Sequence, residues 1–451
     1  ARLPRASSVA YALRLFDCPR NGILHSRESS MKASAFASRV LAGFLACAVC
    51  FGVLSEAGRG GRNALLAAEE AHVEEYSFLQ FKEFAARHGR KYATKEEETY
   101  RFQVWLDNVA TVAELNTRQL GATFTTGGPF GDLTTHEFAA RVLIPPRKAP
   151  EHHASRFLTS WDSSLDTPPE FDWRLKGAVT PVRDQGFLGS CWAFSTAENL
   201  EGQLFLRQGK LETLSVEQLI ECDASADPGH DNADCGEFGG WPYLAYDYLA
   251  GAGGIYSEDD FPYCSGIPYG EPGNCMPCMP SNYSKPLCGN HKDLYCNKTT
   301  TKGQVPGGYC HSSTGVAATV TGWNAVPTDE VLVAKTLHQV GPLSAAVNAA
   351  LLQFYFGGIY DPYDYWCDPT SLDHAVLLVG YGSEDGKDYW TVKNSWGDAW
   401  GEAGYFRIKR GSGKCGINTA VTTGYIGSAA SDINRMAQPK RGGLHSATVT
   451  Q

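Results

Sequence analysis

Three short segments carry residue types that can react only in combination: Gly189-Ser190-Cys191-Trp192, Asp373-His374-Ala375 and Lys393-Asn394-Ser395-Trp396. A cysteine is a strong nucleophile as thiolate, and an imidazole can take its proton. The imidazole then needs an acceptor to hold its tautomer and orientation, which an amide oxygen supplies. The chain order is nucleophile, base, orienter. Such a set can attack a carbonyl covalently and then protonate the leaving group. Taken singly, the cysteine reads as a small hydrophobe or half a disulfide, the histidine as structural and the asparagine as a turn residue.

These residues need a frame. Cys191 opens a stretch with apolar residues at 193, 194, 197, 200 and 204, the spacing of a buried helix running to Phe205. A thiol there faces the positive end of the helix dipole and its free N–H groups. Leu214 to Ile220 predicts a second short helix. After residue 340 the pattern alternates and is rich in Val, Tyr and Trp, as in Ala375–Val379 and Tyr389–Val392, which predicts antiparallel strands. His374 opens one of them.

The 451 residues suggest two to four folding units, and 43% apolar content can fill a sizeable core. A net charge of −10 gives nucleic-acid binding no electrostatic support. A pI near 5.7 suits an acidic lumen. Eleven of the 14 cysteines follow residue 190, and setting Cys191 aside leaves ten, an even number that fits disulfides and an oxidising, secretory compartment. The sequons at Asn282 and Asn297 lie in the same Cys-rich stretch and agree with that compartment. Cys275-Met-Pro-Cys278 is better read as disulfide-forming than as a zinc site, because no second CxxC follows at the required distance. No metal and no cofactor are expected.

Met31-Lys32 and Arg39 precede the apolar run Val40 to Leu54, which ends in Ser55-Glu56-Ala57: the layout of a signal peptide starting at Met31. If residues 1–30 belong to the protein, the run could instead be an uncleaved anchor. From Tyr76 to about Asn116 the spacing is helical, and Glu97, Arg101, Trp105, Asn108, Val112 and Asn116 share one stripe. Residues 144–166 are rich in Pro, His and Ser without a period and read as an accessible linker.

On the motifs Gln185-Gly-x-x-Gly-Ser-Cys191-Trp192, Asp373-His374-Ala and Lys393-Asn394-Ser-Trp396-Gly, residues 76–425 resemble the papain family of cysteine peptidases, most closely the cathepsin L-like branch. The helical stripe resembles the inhibitory propeptide of that branch, with Trp105 and Val112 in place of the more usual Phe and Ile. The resemblance implies an α+β, two-subdomain papain-like fold, a helical left half facing an antiparallel β-barrel right half, behind a helical inhibitory prodomain. It divides the chain into an extension and signal peptide (1–57), prodomain (58–143), linker cut on activation (144–167), peptidase domain (168–426) and mobile tail (427–451). The interval from Cys191 to His374 is 183 residues against a family value of roughly 130–150, so 264–310 reads as a Cys-rich insertion.

By the same resemblance, Cys191 and His374 rest as a thiolate–imidazolium pair, Asn394 orients the ring and Trp396 shields it. Gln185 donates to the oxyanion beside the Cys191 N–H. Gly189, Gly239 and Gly240 offer backbone to the substrate, and Trp241, Pro242, Ala346, Leu372, Ala375 and Ala420 line an apolar S2 pocket, with Trp241 exposed in it. Two extra residues, Glu237 and Phe238, precede the Gly pair. The implied bridges are Cys367–Cys415 and Cys222–Cys310. Leu188 replaces the usual cysteine before the nucleophile, so Cys235 needs a partner in the insertion.

The implied function is a zymogen of a cysteine endopeptidase that prefers bulky apolar P2 residues in protein and peptide substrates. Its partners are its own propeptide and cystatin-type inhibitors, it is a monomer, and its location is a lysosome-like compartment or the extracellular space. The insertion is similar in location to the occluding loop of cathepsin B. Carboxydipeptidase activity therefore stays an alternative, although no adjacent His pair is present, only His291 and His311. A partner-docking role for the insertion is a second alternative. A non-catalytic binding module is a third, opposed by the intact Cys191, His374, Asn394 and Gln185.

Overall fold

A computed structural model describes residues 75–118, 120–152, 154–268 and 315–427, and between the last two 271, 274–275, 278–280 and 282–294. The leader, Asn297, Cys310 and His311 lie outside the described residues. Two compact units divide the chain after Ala110.

In the first unit, residues 75–87 form α1, and Lys95–Thr117 form α2, which continues into the second unit. Phe78, Phe81 and Phe84 recur one helical turn apart and pack with Tyr92, Phe102 and Trp105 in an aromatic cluster. Glu96, Glu97 and Glu98 lie in the first turn of α2, where negative charge suits the helix dipole. Glu98 accepts from Lys82 at 2.5 Å and Lys95 at 2.8 Å.

The second unit begins with the short strand β1 (Ala122–Phe124) and α3 (Thr135–Arg141). Thr134 and Glu137 form a reciprocal capping box that starts α3. After β2 (Phe171–Asp172) come α4 (Cys191–Gln208), α5 (Glu217–Cys222), the hairpin β3 (Ala226–Asp227) and β4 (Asn232–Ala233), α6 (Pro242–Ala252) and a four-residue α7 (Lys285–Cys288). The rest comprises β5 (Val320–Ala325), α8 (Glu330–Val340), β6 (Leu343–Val347), β7 (Tyr355–Tyr360), β8 (His374–Glu384), β9 (Lys387–Lys393), β10 (Tyr405–Lys409) and β11 (Thr422–Ile426). The large sheet runs β1-β7-β10-β9-β8-β6-β11-β5, with β2 also on β8. It is antiparallel apart from the β10–β7 pair. β8 is buried from His374 to Gly382 because β6, β9 and α4 cover it. One apolar cluster fills the sheet half and a second surrounds α4 and α6, the α+β division expected from the pattern change along the chain.

α4 is tied to the sheet by side chains. Ser195 Oγ donates to Val376 O at 2.7 Å, and Asn199 Nδ2 donates to Pro342 O at 2.7 Å. Glu198 meets the fully buried Lys393 at 2.9 Å. Disulfides join Cys235 to Cys288, Cys264 to Cys275 and Cys367 to Cys415, and Cys222 and Cys278 are also disulfide-bonded. The partner of Cys235 is thus found in the insertion.

One expectation changes and another gains detail. The helix read at Leu214–Ile220 is Glu217–Cys222, because Leu214 is drawn into a bridge with Ser257 and Ser215 Oγ accepts from Gln218 N. The 144–166 stretch, read as an accessible linker, is in addition fastened to the second unit at several points. Phe157 bridges Ala325, Asn324 Nδ2 donates to Arg156 O at 2.8 Å, and Trp161 Nε1 donates to Thr336 Oγ1 at 2.8 Å. These are backbone and single-residue contacts, which leave no period in the sequence.

Candidate active site

Ser190 precedes α4, so Cys191 begins the helix with its thiol at the N-terminal end. Cys191 Sγ accepts from Ala375 N at 3.4 Å, which brings it beside the first residues of β8. His374 Nε2 lies 2.7 Å from Asn394 Oδ1. An amide oxygen only accepts, so Nε2 carries the proton and Nδ1 keeps its lone pair. Nδ1 is buried and finds no hydrogen-bond partner among the described residues, leaving it as the nitrogen available to a thiol proton. The Trp396 ring stacks on His374 with centroids 4.5 Å apart.

Gln185 is clamped at the same place. Its Oε1 accepts from Ser395 Oγ at 2.6 Å, and its backbone N–H donates to Ser395 O at 2.8 Å. The side-chain Nε2 then donates to Leu188 O at 2.6 Å and to Val142 O at 2.9 Å. A donor fixed this firmly can hold a carbonyl oxygen, and here it holds one from the leading segment.

That segment continues through the cleft. Ile144 N donates to Asp373 O at 2.9 Å, and Arg147 and Leu372 exchange two backbone bonds of 2.8 Å. Ile144 belongs to the buried cluster that contains Trp241, Ala346, Leu372 and Ala375, with Ala420 at its margin. Trp241 is buried, not exposed as expected, because this apolar cluster encloses it. Pro242 starts α6 behind it. A Cβ on Gly239, whose φ is +121°, would lie 3.1 Å from the Ile144 side chain, and one on Gly189 would lie 2.8 Å from Glu237 O. Neither position admits a side chain with the cleft filled. Phe130 and Phe138 set their edges on Trp396 at 5.4 and 5.3 Å.

Full burial pushes the Cys191 thiol up to about 12, the Asp373 charge adding to the shift, and brings the His374 imidazole down to about 4 despite its bond to Asn394. With the cleft filled, burial thus works against both charged forms of the pair, the thiolate and the imidazolium. Desolvation is the largest cause, and the N–H groups at Cys191 and the Asn394 bond at His374 offset it only in part.

Two family descriptions match this chain: papain family cysteine protease over residues 167–425, and cathepsin propeptide inhibitor domain (I29) over residues 81–138. The chain belongs to the papain family of cysteine proteases. It is 37% identical to digestive cysteine proteinase 1 of Homarus americanus over 346 residues, covering 75% of this chain and 92% of that protein. It is 36% identical to mouse cathepsin F over 347 residues, 77% of this chain, and spans only 64% of that protein's length. The solved digestive procathepsin L2 of Tenebrio molitor larval midgut superposes with a TM-score of 0.62 at 30% identity, covering 77% of this chain and 99% of that one. This papain-family protease thus carries a cathepsin-type propeptide in zymogen form, and Val142, Ile144 and Arg147 are the residues its leading segment lays in the cleft.

Several site features had no sequence signal. Val142 as occupant of the Gln185 amide could not be read from a single apolar residue. The buried carboxyls of Asp223 and Asp234, behind the Gly239–Gly240 loop, are brought together by a hairpin. Glu237 lines a cavity of about 490 Å³ with Gly189, Ile144 and Asp373, and burial raises its carboxyl to about 7. The sequence had marked Glu237 only as an extra residue.

Proposed function

We propose that this protease cleaves peptide bonds through Cys191 and His374 once the leading segment leaves the cleft. Water then enters, both desolvation penalties fall, and the proton passes from thiol to imidazole. The thiolate adds to the scissile carbonyl, and the oxyanion is held by Gln185 Nε2 and the Cys191 N–H at the head of α4. His374 gives its proton to the leaving amine, then takes one from the water that hydrolyses the thioester. Asn394 keeps Nε2 protonated throughout, and Trp396 covers that bond. The observation that carries this reading is the carbonyl of Val142 on the Gln185 amide, with His374 bonded to Asn394 through Nε2 and its Nδ1 left unbonded among the described residues.

Bulky apolar P2 residues are the preferred substrates, because Ile144 is accommodated among Trp241, Ala346, Leu372 and Ala375. Endopeptidase action is favoured over carboxydipeptidase action: His291 stacks on Phe238 at 3.9 Å and its Nε2 bonds Cys288 O, so it is committed within the insertion. The exposed Asn282 suits a glycan, which together with the disulfides supports passage through the secretory pathway to an acidic compartment or the exterior. Cystatin-type inhibitors and a monomeric state complete the proposal.

The test is labelling by an epoxysuccinyl inhibitor after acid processing. One adduct on Cys191, absent in Cys191→Ser, is expected together with loss of peptide cleavage. Undiminished cleavage by Cys191→Ser would overturn the assignment.

A further inference from the structure

Asp223 and Asp234 are fully buried, and the catalytic set leaves them unused. Asp223 caps the end of α5, and Asp234 opens the loop that leads to Gly239–Gly240. Each spends one oxygen on a backbone N–H: Asp223 Oδ1 accepts from Ser225 N at 2.8 Å, and Asp234 Oδ1 from Trp241 N at 2.7 Å. Asp234 N also donates to Ser225 O at 2.9 Å, which fastens the two residues across the β3–β4 hairpin. The remaining oxygens, both buried, receive no N–H or hydroxyl among the described residues. The two carboxyls act on each other's titration, and a carboxyl–carboxyl hydrogen bond would satisfy both.

Such a bond requires one proton, since two carboxylates contribute acceptors only. The surroundings favour keeping it. No cation contacts the pair among the described residues, and the charged or titratable groups facing it are Asp247, Tyr243 and Tyr248, all on α6. Asp247 adds negative charge, although Arg156 partners it at 3.3 Å. Burial raises both carboxyls above the usual range, Asp234 the further because its neighbour's charge adds to the effect.

The pair sits beneath Gly239–Gly240, and the inference rests on the peptidase function proposed above together with the substrate-backbone role that the family resemblance implies for these glycines. A Cβ on Gly240 would lie 2.6 Å from Asp234 Oδ1, so that oxygen packs directly against the glycine. The bond to Trp241 N, with Cys235 N donating to Gly239 O at 2.7 Å, closes the loop from 234 to 241. We propose that Asp223 and Asp234 are positioning residues that share one proton and thereby hold Gly239-Gly240-Trp241 in the form that binds substrate. Loss of that proton sets two carboxylates against each other and displaces the loop.

The full-length chain, processed by itself in acid, is assayed with a peptide substrate from acidic to mildly alkaline pH, its active sites counted by the epoxysuccinyl label. Wild-type KM is expected to rise roughly fivefold or more on the alkaline side, separately from any change in kcat. In Asp223→Asn and Asp234→Asn an amide N–H donates to the remaining carboxylate at every pH, so the alkaline rise in KM disappears. Persistence of the rise in both variants, or a KM raised equally at all pH values, overturns the proposal. Should the variants fail to process, infrared titration of the wild type decides. A protonated carboxyl band that vanishes where KM rises supports the pair, and its absence where KM is still low overturns it. Failure to label Cys191 would count against the catalytic reading, whereas a labelled enzyme with pH-independent KM counts against this proposal alone.

Discussion

Gln185 illustrates how a single side chain acts by being unable to move. Ser395 Oγ holds its oxygen and the Ser395 carbonyl holds its backbone, so Nε2 is fixed where it meets the Val142 carbonyl and where the oxyanion proposed above would arrive. A fixed donor stabilises the transition state without reorganising, which is worth about 10²–10³ in kcat for one oxyanion donor. Gln185→Ala is therefore expected to lower kcat by roughly that factor, with a much smaller change in KM, measured on label-counted enzyme. A loss confined to KM would argue that the amide serves binding only. The proposed set of Cys191, His374 and Asn394 could be picked out of the sequence because each lies in a short motif whose neighbours define its surroundings. Asp223 and Asp234 could not. Ten residues separate them, no motif surrounds them, and only the turn of β3 into β4 brings them near each other.

Helix α4 and strand β9 must hold Cys191 and Asn394 in fixed relation, and they do so partly through charge. Lys393, adjacent to Asn394, is completely buried and donates to Thr180 Oγ1 at 3.0 Å and to Glu198 on α4 at 2.9 Å. Arg183 stands 4.0 Å from Glu198 and bonds Glu201 at 2.9 Å, so the cluster joins two elements of one subdomain boundary. Removing one partner of a buried pair leaves a charge out of water and costs about 3–5 kcal/mol. Lys393→Met is expected to destabilise the protein by about that amount in urea unfolding. Glu198→Gln combined with Lys393→Met should recover most of the loss, whereas additive losses would show that the pair does not act as a unit. The elements themselves followed from periodicity, since α4 and β8 present long apolar faces. The 144–162 run did not, because its order comes from backbone bonds to strands far away in sequence.

Across the whole molecule, a release of the leading segment by acid, if this chain is processed that way, would have to be driven from outside the catalytic pair. Closed or open, the pair can pass one proton between thiol and imidazole without gaining or losing any. Both states hold one proton, so the exchange between them has no pH dependence of its own. The trigger must be a group that gains a proton only on opening, and His152 fits. It is wedged against Tyr243 and Trp323 at 5.0 Å each, with its Nε2 buried and unbonded among the described residues. Burial lowers it to about 4, the nearby His230 and Arg156 charges adding to the effect and Asp227 and Asp247 opposing it. A depressed imidazole stabilises the docked state fully above its ordinary value of about 6.5, and loses that contribution as pH falls from there toward about 4. Asp373 has the opposite sign: burial raises it to about 7, so its proton favours the closed form in acid and sharpens the need for a histidine. His152→Phe keeps a ring between Tyr243 and Trp323 but cannot titrate. It should move the midpoint of acid processing downward by roughly half a pH unit or more, read from the appearance of the shortened chain on gels. An unchanged midpoint would place the trigger elsewhere in the chain.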